Sequence, residues 1–333
     1  MLPLPIFDHH RPRTLSAAID LLARLGNKAV VVAGGTDVLP NMKQGLVEPE
    51  HVVSIGGIEE LRGISLESSG DGAERLVVGA GMRLSEIADS IAVRRWAPAL
   101  AEAAGQVGGP HHRSMGTLGG NICLDTRCRY YNQTYFWRKS LGFCLKKDGT
   151  VCHVVRGGQK CVAAASNDTA PALLVLEADV HLLGPNGSRV LAAGDFYTAD
   201  GIKNTVLEPG ELVVRVSIPR RMTRRSAFEK LRRRGAIDFP LLSVAARLDM
   251  SAQDEHRVEA ADVVVSALGA RPRRIRAATM VRPGTSLETL VRDVSRGAFT
   301  ECKPLPNVDE DTEWRREMVP QLVERSLRRV IEV

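Results

Sequence analysis

The sequence predicts an α+β fold with more than one domain. Its 333 residues exceed what one ordinary hydrophobic core organises, so two or three domains are expected. Short strand-like and helical segments follow each other without the regular βαβ alternation of a doubly wound sheet. The G-x-G-x-x-G fingerprint is also missing, because Gly79-Ala80-Gly81 is followed by Leu84 where a small residue is needed.

The first two thirds of the chain predict a mixture of helices and strands. A helix is expected over 14–25, because Thr14 can cap its N-terminus and apolar residues recur at helical spacing before Gly26. The run KAVVVA (28–33) predicts a short buried strand. Similar patterns predict strands at 51–55, 76–78, 178–183 and 211–218, and helices at 85–91, 95–104 and 169–176.

The stretch IPRRMTRR (218–225) predicts a domain boundary, because proline and clustered charge interrupt the apolar pattern. It divides the chain into a first domain of residues 1–220 and a second domain of residues 221–333. In the second domain, strands at 226–233, 241–250 and 257–268 are followed by helices at 286–297 and 313–330.

Composition excludes several classes of function. Hydrophobic residues make up 44% of the chain and charged residues 25%, which is typical of a soluble globular protein. No apolar run approaches the roughly 18 residues that span a bilayer, and the N-terminus has no apolar signal core. A net charge of +6, with few aromatic residues outside 130–143, gives no nucleic-acid footprint. We therefore expect a cytoplasmic protein that binds neither membrane nor nucleic acid.

Cysteines and aromatic residues are concentrated between residues 123 and 161. In a cytoplasmic chain, clustered cysteines bind metal or do redox work more often than they form disulfides. From Cys128 onward the spacing is C-x15-C-x7-C-x8-C, which matches neither the bacterial nor the plant type of ferredoxin motif. The spacing suits a four-cysteine zinc site as well as a cubane iron–sulfur cluster. The aromatic residues favour the cluster, because they would form an apolar shell that keeps water from the sulfurs.

Basic residues of the same stretch have two interpretations. They either offset the charge of a cluster or dock an acidic electron donor, or they form an ordinary basic surface. The residues concerned are Arg138, Lys139, Lys146, Lys147, Arg156 and Lys160.

Two glycine-rich turns are candidate phosphate sites. The first, AGGTD (33–37), directly follows the strand predicted at 28–33, and the second is MGTLGGN (115–121). Adjacent glycines let consecutive N–H groups point to one spot, and such a nest binds phosphate oxygens. Thr36 and Thr117 could add hydroxyl donors. Either loop taken alone is more often only a tight turn.

Together these stretches resemble the FAD-binding subunit of the xanthine dehydrogenase, or molybdenum hydroxylase, family. The resemblance covers essentially the whole chain and rests on VVAGGTDVLPNMK (31–43), GTLGGNIC (116–123), SNDTAP (166–171) and FEKLRRRGAIDFPLLSVAARL (228–248). It implies a vanillyl-alcohol-oxidase-like (PCMH-like) FAD-binding domain of two subdomains, about 1–55 and 56–220. A smaller C-terminal α/β domain would follow over 221–333.

The resemblance also implies which residues bind FAD. In that family the first glycine loop wraps the FAD pyrophosphate, and a lysine lies near the flavin. A cation in that position makes chemical sense, because the reduced flavin carries negative charge. The implied FAD contacts are Val31, Val32, Ala33, Gly34, Gly35, Thr36, Asp37, Val38, Val107, Thr117, Gly119, Gly120, Asn121, Asp168 and Lys230.

The cysteine-rich stretch is an insertion relative to most of that family, in which a short link joins the GGN turn to the acidic motif. The inserted residues, about 126–164, contain the pattern DTRC, YNQ, WR, CLK and CHV, the DTRC beginning at 125, and end on a further cysteine. The pattern resembles the 4-hydroxybenzoyl-CoA reductase branch of the family, whose β subunit adds a [4Fe-4S] cluster to the FAD subunit. The implied cluster ligands are Cys128, Cys144, Cys152 and Cys161.

The function implied by this resemblance is that of an electron-relay subunit. Molybdopterin would lie on a large partner subunit and two [2Fe-2S] clusters on a small one, within a heterohexamer. Electrons from reduced ferredoxin would pass through [4Fe-4S] and FAD to those partners, for reductive dehydroxylation of 4-hydroxybenzoyl-CoA to benzoyl-CoA in anaerobic aromatic degradation. No side chain of this chain need act as an acid, base or nucleophile.

Two other functions remain open from the sequence. The chain could be the FAD subunit of another molybdenum hydroxylase or dehydrogenase that uses NAD, or its insertion could be a zinc-bound docking lobe. We expect Cys123 on the flavin side rather than in the insertion, and Cys302 to be structural. His153 is expected to cap a turn, and the sequence assigns no role to His111 and His112.

Overall fold

The structure, a computed structural model, describes residues 2–68, 72–251, 254 and 257–332. Within these residues the chain forms three β-sheets and a set of mostly short helices. The strands are β1 (Asp8–His10), β2 (Ala29–Val32), β3 (His51–Ser54), β4 (Ile64–Ser68), β5 (Glu74–Gly79), β6 (Asp179–Gly184), β7 (Gly187–Ala192), β8 (Leu212–Pro219), β9 (Arg224–Leu231), β10 (Leu242–Met250), β11 (Val258–Ser266) and β12 (Arg273–Arg274). The helices are α1 (Leu15–Leu25), α2 (Val38–Lys43), α3 (Leu84–Asp89), α4 (Ile91–Trp96), α5 (Pro98–Gly105), α6 (Pro110–Met115), α7 (Leu118–Ile122), α8 (Tyr135–Ser140), α9 (Thr169–Val175), α10 (Ala193–Phe196), α11 (Arg276–Thr279), α12 (Leu287–Glu301) and α13 (Thr312–Glu332).

The N-terminal sheet is parallel and places the first glycine loop. Its strands lie in the order β1-β3-β2, and the apolar face of α1 packs with this sheet. The Thr14 hydroxyl caps α1 by accepting from the N–H of Ala17, and Gly26 ends the helix at φ 55°. Because β2 ends at Val32, the glycine loop at 33–37 leaves the carboxyl end of an edge strand.

The second sheet has five antiparallel strands in the order β4-β5-β8-β6-β7. Helices α3, α5, α7 and α9 contribute to its apolar core. The same core includes Phe228, Ala245 and Val264 from the C-terminal sheet, because α5 and α9 pack between the two sheets. The segments on either side of the predicted boundary at 218–225 therefore share one apolar interface.

The C-terminal sheet is antiparallel in the order β12-β11-β10-β9, and α12 and α13 pack on it. Because its strands pair antiparallel and have no βαβ crossovers, this part is α+β and not the α/β domain expected from the sequence.

Most predicted elements are present with small shifts at their ends. The helix expected over 95–104 is wrong in its first turn: α4 ends at Trp96, and Pro98 occupies the first turn of the separate helix α5. The helix expected at 85–91 likewise ends at Asp89, because Ser90 caps α4 by accepting from the N–H of Val93. Short elements such as β4, β7 and α8 were not predicted, since five or six residues give little periodicity.

The cysteine-rich segment forms a lobe that is closed at its base. Arg127 N–H donates to the Ala164 carbonyl at 2.8 Å, and Ala164 N–H donates to the Arg127 carbonyl at 2.7 Å. We call residues 127–164 the cysteine lobe.

Two buried side chains tie the cysteine lobe to the rest of the molecule. Arg138, whose side chain is 1% exposed, donates from Nη2 to the Gly45 carbonyl at 2.9 Å. Asn307, from the C-terminal part, donates from Nδ2 to the Val162 carbonyl at 2.7 Å. The lobe is therefore fixed both to the segment after α2 and to the loop between α12 and α13.

Candidate functional site

The first glycine loop offers an open set of backbone donors. Gly35 has φ +70°, a conformation that glycine adopts without strain. None of the N–H groups of residues 34–37 donates to another group in the described part of the chain. Residues 31–38 are half-buried, so these donors face a partly enclosed space. This arrangement fits the diphosphate of a dinucleotide, which consecutive N–H groups can cradle.

The two glycine loops meet, as the resemblance requires. A Cβ added at Gly34 would lie 2.0 Å from the backbone oxygen of Met115, so no other residue fits there without moving the backbone. The Thr36 hydroxyl oxygen is 3.5 Å from the position that a Gly116 Cβ would take. The first loop is therefore pressed against the segment that leads into the second.

The second glycine loop is not a nest, contrary to the prediction. The N–H groups of Leu118 and Gly119 donate to backbone carbonyls, and that of Gly120 donates to the Thr117 hydroxyl, which caps α7. Position 119 favours glycine, because a Cβ there would lie 2.9 Å from the Cβ of Ala80. The glycines at 119 and 120 thus serve close packing and helix capping, and the N–H groups of Leu118, Gly119 and Gly120 are already used within the chain.

Asn121 links the second loop to the helix behind it. Its Oδ1 accepts from the N–H of Thr169 at 3.1 Å and from the Thr169 hydroxyl at 2.6 Å. Both residues are buried, so Asn121 holds the start of α9 in place. Because Oδ1 already accepts both of these bonds, the predicted contact of Asn121 with FAD would have to come from another atom of the residue.

Asp168 and Lys230 form a buried ion pair. The Lys230 Nζ donates to Asp168 Oδ2 at 2.7 Å and to the Gln106 carbonyl at 3.0 Å, beside the turn at Val107. Their side chains are 3% and 0% exposed. Burial raises the pKa of Asp168 to about 6, and the Lys230 ammonium opposes that rise. The sequence pointed to both residues separately but did not predict that they pair.

The two histidines before the second loop have ordinary surroundings. His111 is exposed on α6, and His112 accepts at Nδ1 from the N–H of Gly109 at 3.4 Å. Neither histidine side chain contacts the glycine loops, Asn121 or the Asp168–Lys230 pair through a hydrogen bond or ion pair described above.

The four cysteines implied as cluster ligands line one cavity in the cysteine lobe. Three of them, Cys128, Cys144 and Cys161, are also buried in the small apolar cluster at the lobe's centre, whereas Cys152 is half-buried. The cavity is lined by the four cysteines together with Tyr130, Tyr131, Leu145, Lys146, His153, Val154, Val162 and Ala163. The fold thus gathers cysteines that are far apart in the sequence.

The cavity is not shaped around a single metal ion. In residues 2–68, 72–251, 254 and 257–332, no group of three or more His, Cys, Asp or Glu side chains is arranged to hold one. Cys123 lies apart from the cavity, against the core of the five-stranded sheet, where burial raises the pKa of its thiol to about 12. Cys302 is buried in the C-terminal core.

The aromatic shell differs from the one predicted. Tyr130 and Tyr131 line the cavity, but the rings of α8 point outward: Tyr135 is 45%, Phe136 80% and Trp137 40% exposed. Since α8 is one turn and a half long, it cannot bury three consecutive large side chains on one face. His153 donates from Nε2 to the Phe143 carbonyl at 2.6 Å, a contact between two segments of the cysteine lobe.

Lys146 is a buried cation beside the cysteines. Its side chain is 5% exposed, and its Nζ contacts Asp125 at 2.6 Å and the Gly201 carbonyl at 2.7 Å. It also stands 4.5 Å from the centroid of the Tyr131 ring. The sequence left two interpretations open for Lys146, Arg138 and four other basic residues, and the structure buries these two. Nothing in a linear pattern separates a buried lysine from its exposed neighbours.

Among the described residues, every helix is too short or too polar to cross a lipid bilayer.

The chain matches two protein domain families. Residues 5–221 match the FAD-binding domain of molybdopterin dehydrogenases, and residues 226–330 match the CO dehydrogenase flavoprotein C-terminal domain. The chain is therefore a FAD-binding flavoprotein with this pair of domains. It belongs to the FAD-binding subunits of the xanthine dehydrogenase and CO dehydrogenase family of molybdenum hydroxylases. The predicted combination of a FAD-binding domain with a C-terminal domain in a mixed helix and sheet fold is confirmed.

Relatives match over most or nearly all of the chain. The carbon monoxide dehydrogenase medium chain of Hydrogenophaga pseudoflava is 28% identical over 328 residues, which is 98% of this chain and 97% of that one. The aldehyde oxidoreductase FAD-binding subunit PaoB of Escherichia coli K12 is 31% identical over 279 residues, 78% of this chain and 86% of that one. A solved carbon monoxide dehydrogenase from Hydrogenophaga pseudoflava superposes with a TM-score of 0.78 at 26% identity, over 98% and 97% of the chains.

Proposed function

We propose that this chain is the FAD and [4Fe-4S] electron-transfer subunit of a molybdenum-containing 4-hydroxybenzoyl-CoA reductase. Electrons enter from reduced ferredoxin and leave toward partner subunits with [2Fe-2S] clusters and molybdopterin, which carry out the dehydroxylation to benzoyl-CoA. FAD supplies the chemistry that joins one-electron to two-electron transfer. The residues of this chain bind and orient the two groups.

The observation that carries the proposal is the cavity lined by Cys128, Cys144, Cys152 and Cys161. One zinc ion would need all its thiolates about 2.3 Å from a single point. The described residues contain no such group. A cubane takes one thiolate at each of its four irons, so its ligands stand at separate corners around a wider space. The gathering of four cysteines around one cavity supports a bound group there, and the preference for a cubane over zinc rests on the resemblance to the reductase branch.

The composition of the lobe's interior also supports a bound group. The apolar cluster at its centre contains Tyr131, Ala163 and three cysteines of the lobe, together with Leu46 from the neighbouring segment. Because this cluster is small, a metal group bound by the thiolates would add to the stability of the lobe.

The proposed partners follow from the relatives. Their names describe a medium chain and FAD-binding subunits, which supports a large molybdopterin-binding subunit and a small [2Fe-2S] subunit beside this chain in a heterohexamer. Lys139, Arg156 and Lys160 are exposed on the cysteine lobe, and their charge suits an acidic donor such as ferredoxin. All six cysteines are free, which suits the reducing cytoplasm.

The test is the ratio of iron to flavin in this chain, separated from its partners under anaerobic conditions. We expect about four irons per FAD, the content of one cubane. Zinc without iron would overturn the proposed cluster and leave an FAD subunit with a structural lobe.

Single cysteine variants sharpen that measurement. Cys128→Ser and Cys161→Ser should lose iron while keeping FAD, because the flavin residues lie outside the lobe. Cys123→Ser is the matched control and should keep both, since Cys123 packs against a different core. If only the Cys123→Ser control loses iron, the proposed set of cluster ligands is wrong.

A second candidate function is an FAD subunit of another molybdenum dehydrogenase that passes electrons outward to NAD. The names of the relatives, which include several dehydrogenases, favour it. Anaerobic mixing of the chain with NADH distinguishes the two, because bleaching of the flavin by NADH would support this function and not the reductase.

A further inference from the structure

Arg127 joins the base of the cysteine lobe to the first glycine loop. Its backbone is fixed by the two hydrogen bonds to Ala164, and its guanidinium forms an ion pair with the carboxylate of Asp37. Nη1 donates to Asn41 Oδ1 at 3.2 Å, and Asn41 Nδ2 donates to Asp37 Oδ2 at 3.0 Å. The guanidinium also stacks over Phe239, 4.4 Å from the ring centroid.

An acidic side chain is unexpected in a loop that holds phosphate. The Asp37 carboxylate stands beside the open N–H groups of residues 34–37, where the FAD diphosphate is proposed to bind. Two negative groups repel each other more strongly in such a half-buried place than in bulk water. A cation paired with Asp37 removes most of that repulsion.

Arg127 has the properties of that cation. Its side chain is only 12% exposed, and its Nε has no hydrogen-bond partner among the described residues. An arginine guanidinium stays protonated in proteins, so it carries the positive charge that the pairing needs. A buried arginine is held in such a place by its anion, and Asp37 is the anion it contacts.

We propose that Arg127 is a positioning residue for FAD: by neutralising Asp37, it allows the first glycine loop to accept the FAD diphosphate. The inference rests on the proposed position of FAD at this loop. Arg127 immediately precedes Cys128, so a residue at the base of the cysteine lobe completes the charge balance of the first glycine loop.

The test is an FAD titration of the full chain after removal of its flavin, followed by flavin fluorescence. Arg127→Gln should weaken FAD binding by about tenfold to a hundredfold, because the Asp37 carboxylate would then repel the diphosphate without compensation. Arg127→Lys keeps the charge and should bind FAD within about threefold of the wild type. The double variant Asp37→Asn with Arg127→Gln lacks both charges and should recover binding to within about threefold.

Arg129→Gln is the matched control, because Arg129 is 46% exposed and stands 3.7 Å from Asp309, away from Asp37. It should leave FAD affinity unchanged. Wild-type affinity in Arg127→Gln overturns the inference. A double variant as weak as Arg127→Gln also overturns it, because a merely structural role for Arg127 would not be rescued by removing the Asp37 charge.

Iron content of the same samples reports on the proposed function separately. If the chain holds no iron but Arg127→Gln still loses FAD and the double variant recovers it, the cluster is wrong and the inference stands. If iron is present and FAD affinity does not change in any Arg127 variant, the cluster stands and the inference is wrong.

Discussion

The residues that the resemblance implies as FAD contacts, here called the cleft, and the cysteine lobe are prepared for their groups in opposite ways. The cleft is built from backbone N–H groups, closely packed glycines and a buried ion pair, all of which are in place in the folded chain. The lobe uses cysteine side chains as a large part of its own interior. The proposed FAD site is therefore preformed, whereas under the proposed function the lobe gains stability from its bound group. Four substitutions test this difference, in order of decreasing effect.

Asp168→Asn should have the largest effect on folding. It removes the carboxylate partner of the Lys230 ammonium, whose side chain is fully buried. Leaving one charge of a buried pair without its partner costs about 3–5 kcal/mol of unfolding free energy. Chemical denaturation of the separated chain measures the change. Glu50→Gln breaks the exposed pair with Lys28 and is the control, at about 1 kcal/mol or less. Equal effects for the two variants would contradict a preformed cleft.

Gly34→Ala should weaken FAD binding. The new Cβ would stand 2.0 Å from the Met115 backbone oxygen, so the two loops must separate. We expect FAD affinity to fall by at least about tenfold, or about 1.4 kcal/mol, with iron content unchanged. Gly57→Ala is the control, because a Cβ there meets nothing within 4 Å. Normal FAD binding by Gly34→Ala would exclude the first loop as the diphosphate site.

Lys146→Met should act on the lobe and spare the cleft. Removing a buried positive charge next to the cysteines should shift the reduction potential of the bound group to a lower value, because the more negative reduced state loses a stabilising cation. Redox titration of the iron signal measures this shift. Lys139→Met, on the exposed side of α8, should leave the potential unchanged. An unchanged potential in Lys146→Met would mean that the ammonium does not face the group.

Phe136→Ala should have the smallest effect. Its ring is 80% exposed, so the unfolding free energy should change by about 0.5 kcal/mol or less. Iron content should also stay the same, because the rings of α8 do not line the cysteine cavity. Loss of iron in this variant would support the sequence prediction that these rings shield the cysteine site. Tyr131→Ala, which opens the cavity itself, should lose iron and provides the contrast.

Local patterns were sufficient for much of this protein. Thr14 and Gly26 mark the ends of α1, and the run at 28–33 fixes β2, because capping and alternation act between near neighbours. The glycines at 34 and 35 predicted a candidate phosphate loop for the same reason. The order of motifs along the chain was also enough to indicate the family, because relatives with the same fold share these motifs in the same order.

The tertiary structure decided the rest. The pairing of Asp168 with Lys230, the contact of Arg127 with Asp37 and the burial of Lys146 all join residues that lie far apart in the sequence. Whether a charge is buried depends on what the rest of the chain packs against it, and no local pattern contains that information. The second glycine loop shows the same limit: its residues suit a nest, but the packing of α7 against Ala80 uses their N–H groups instead.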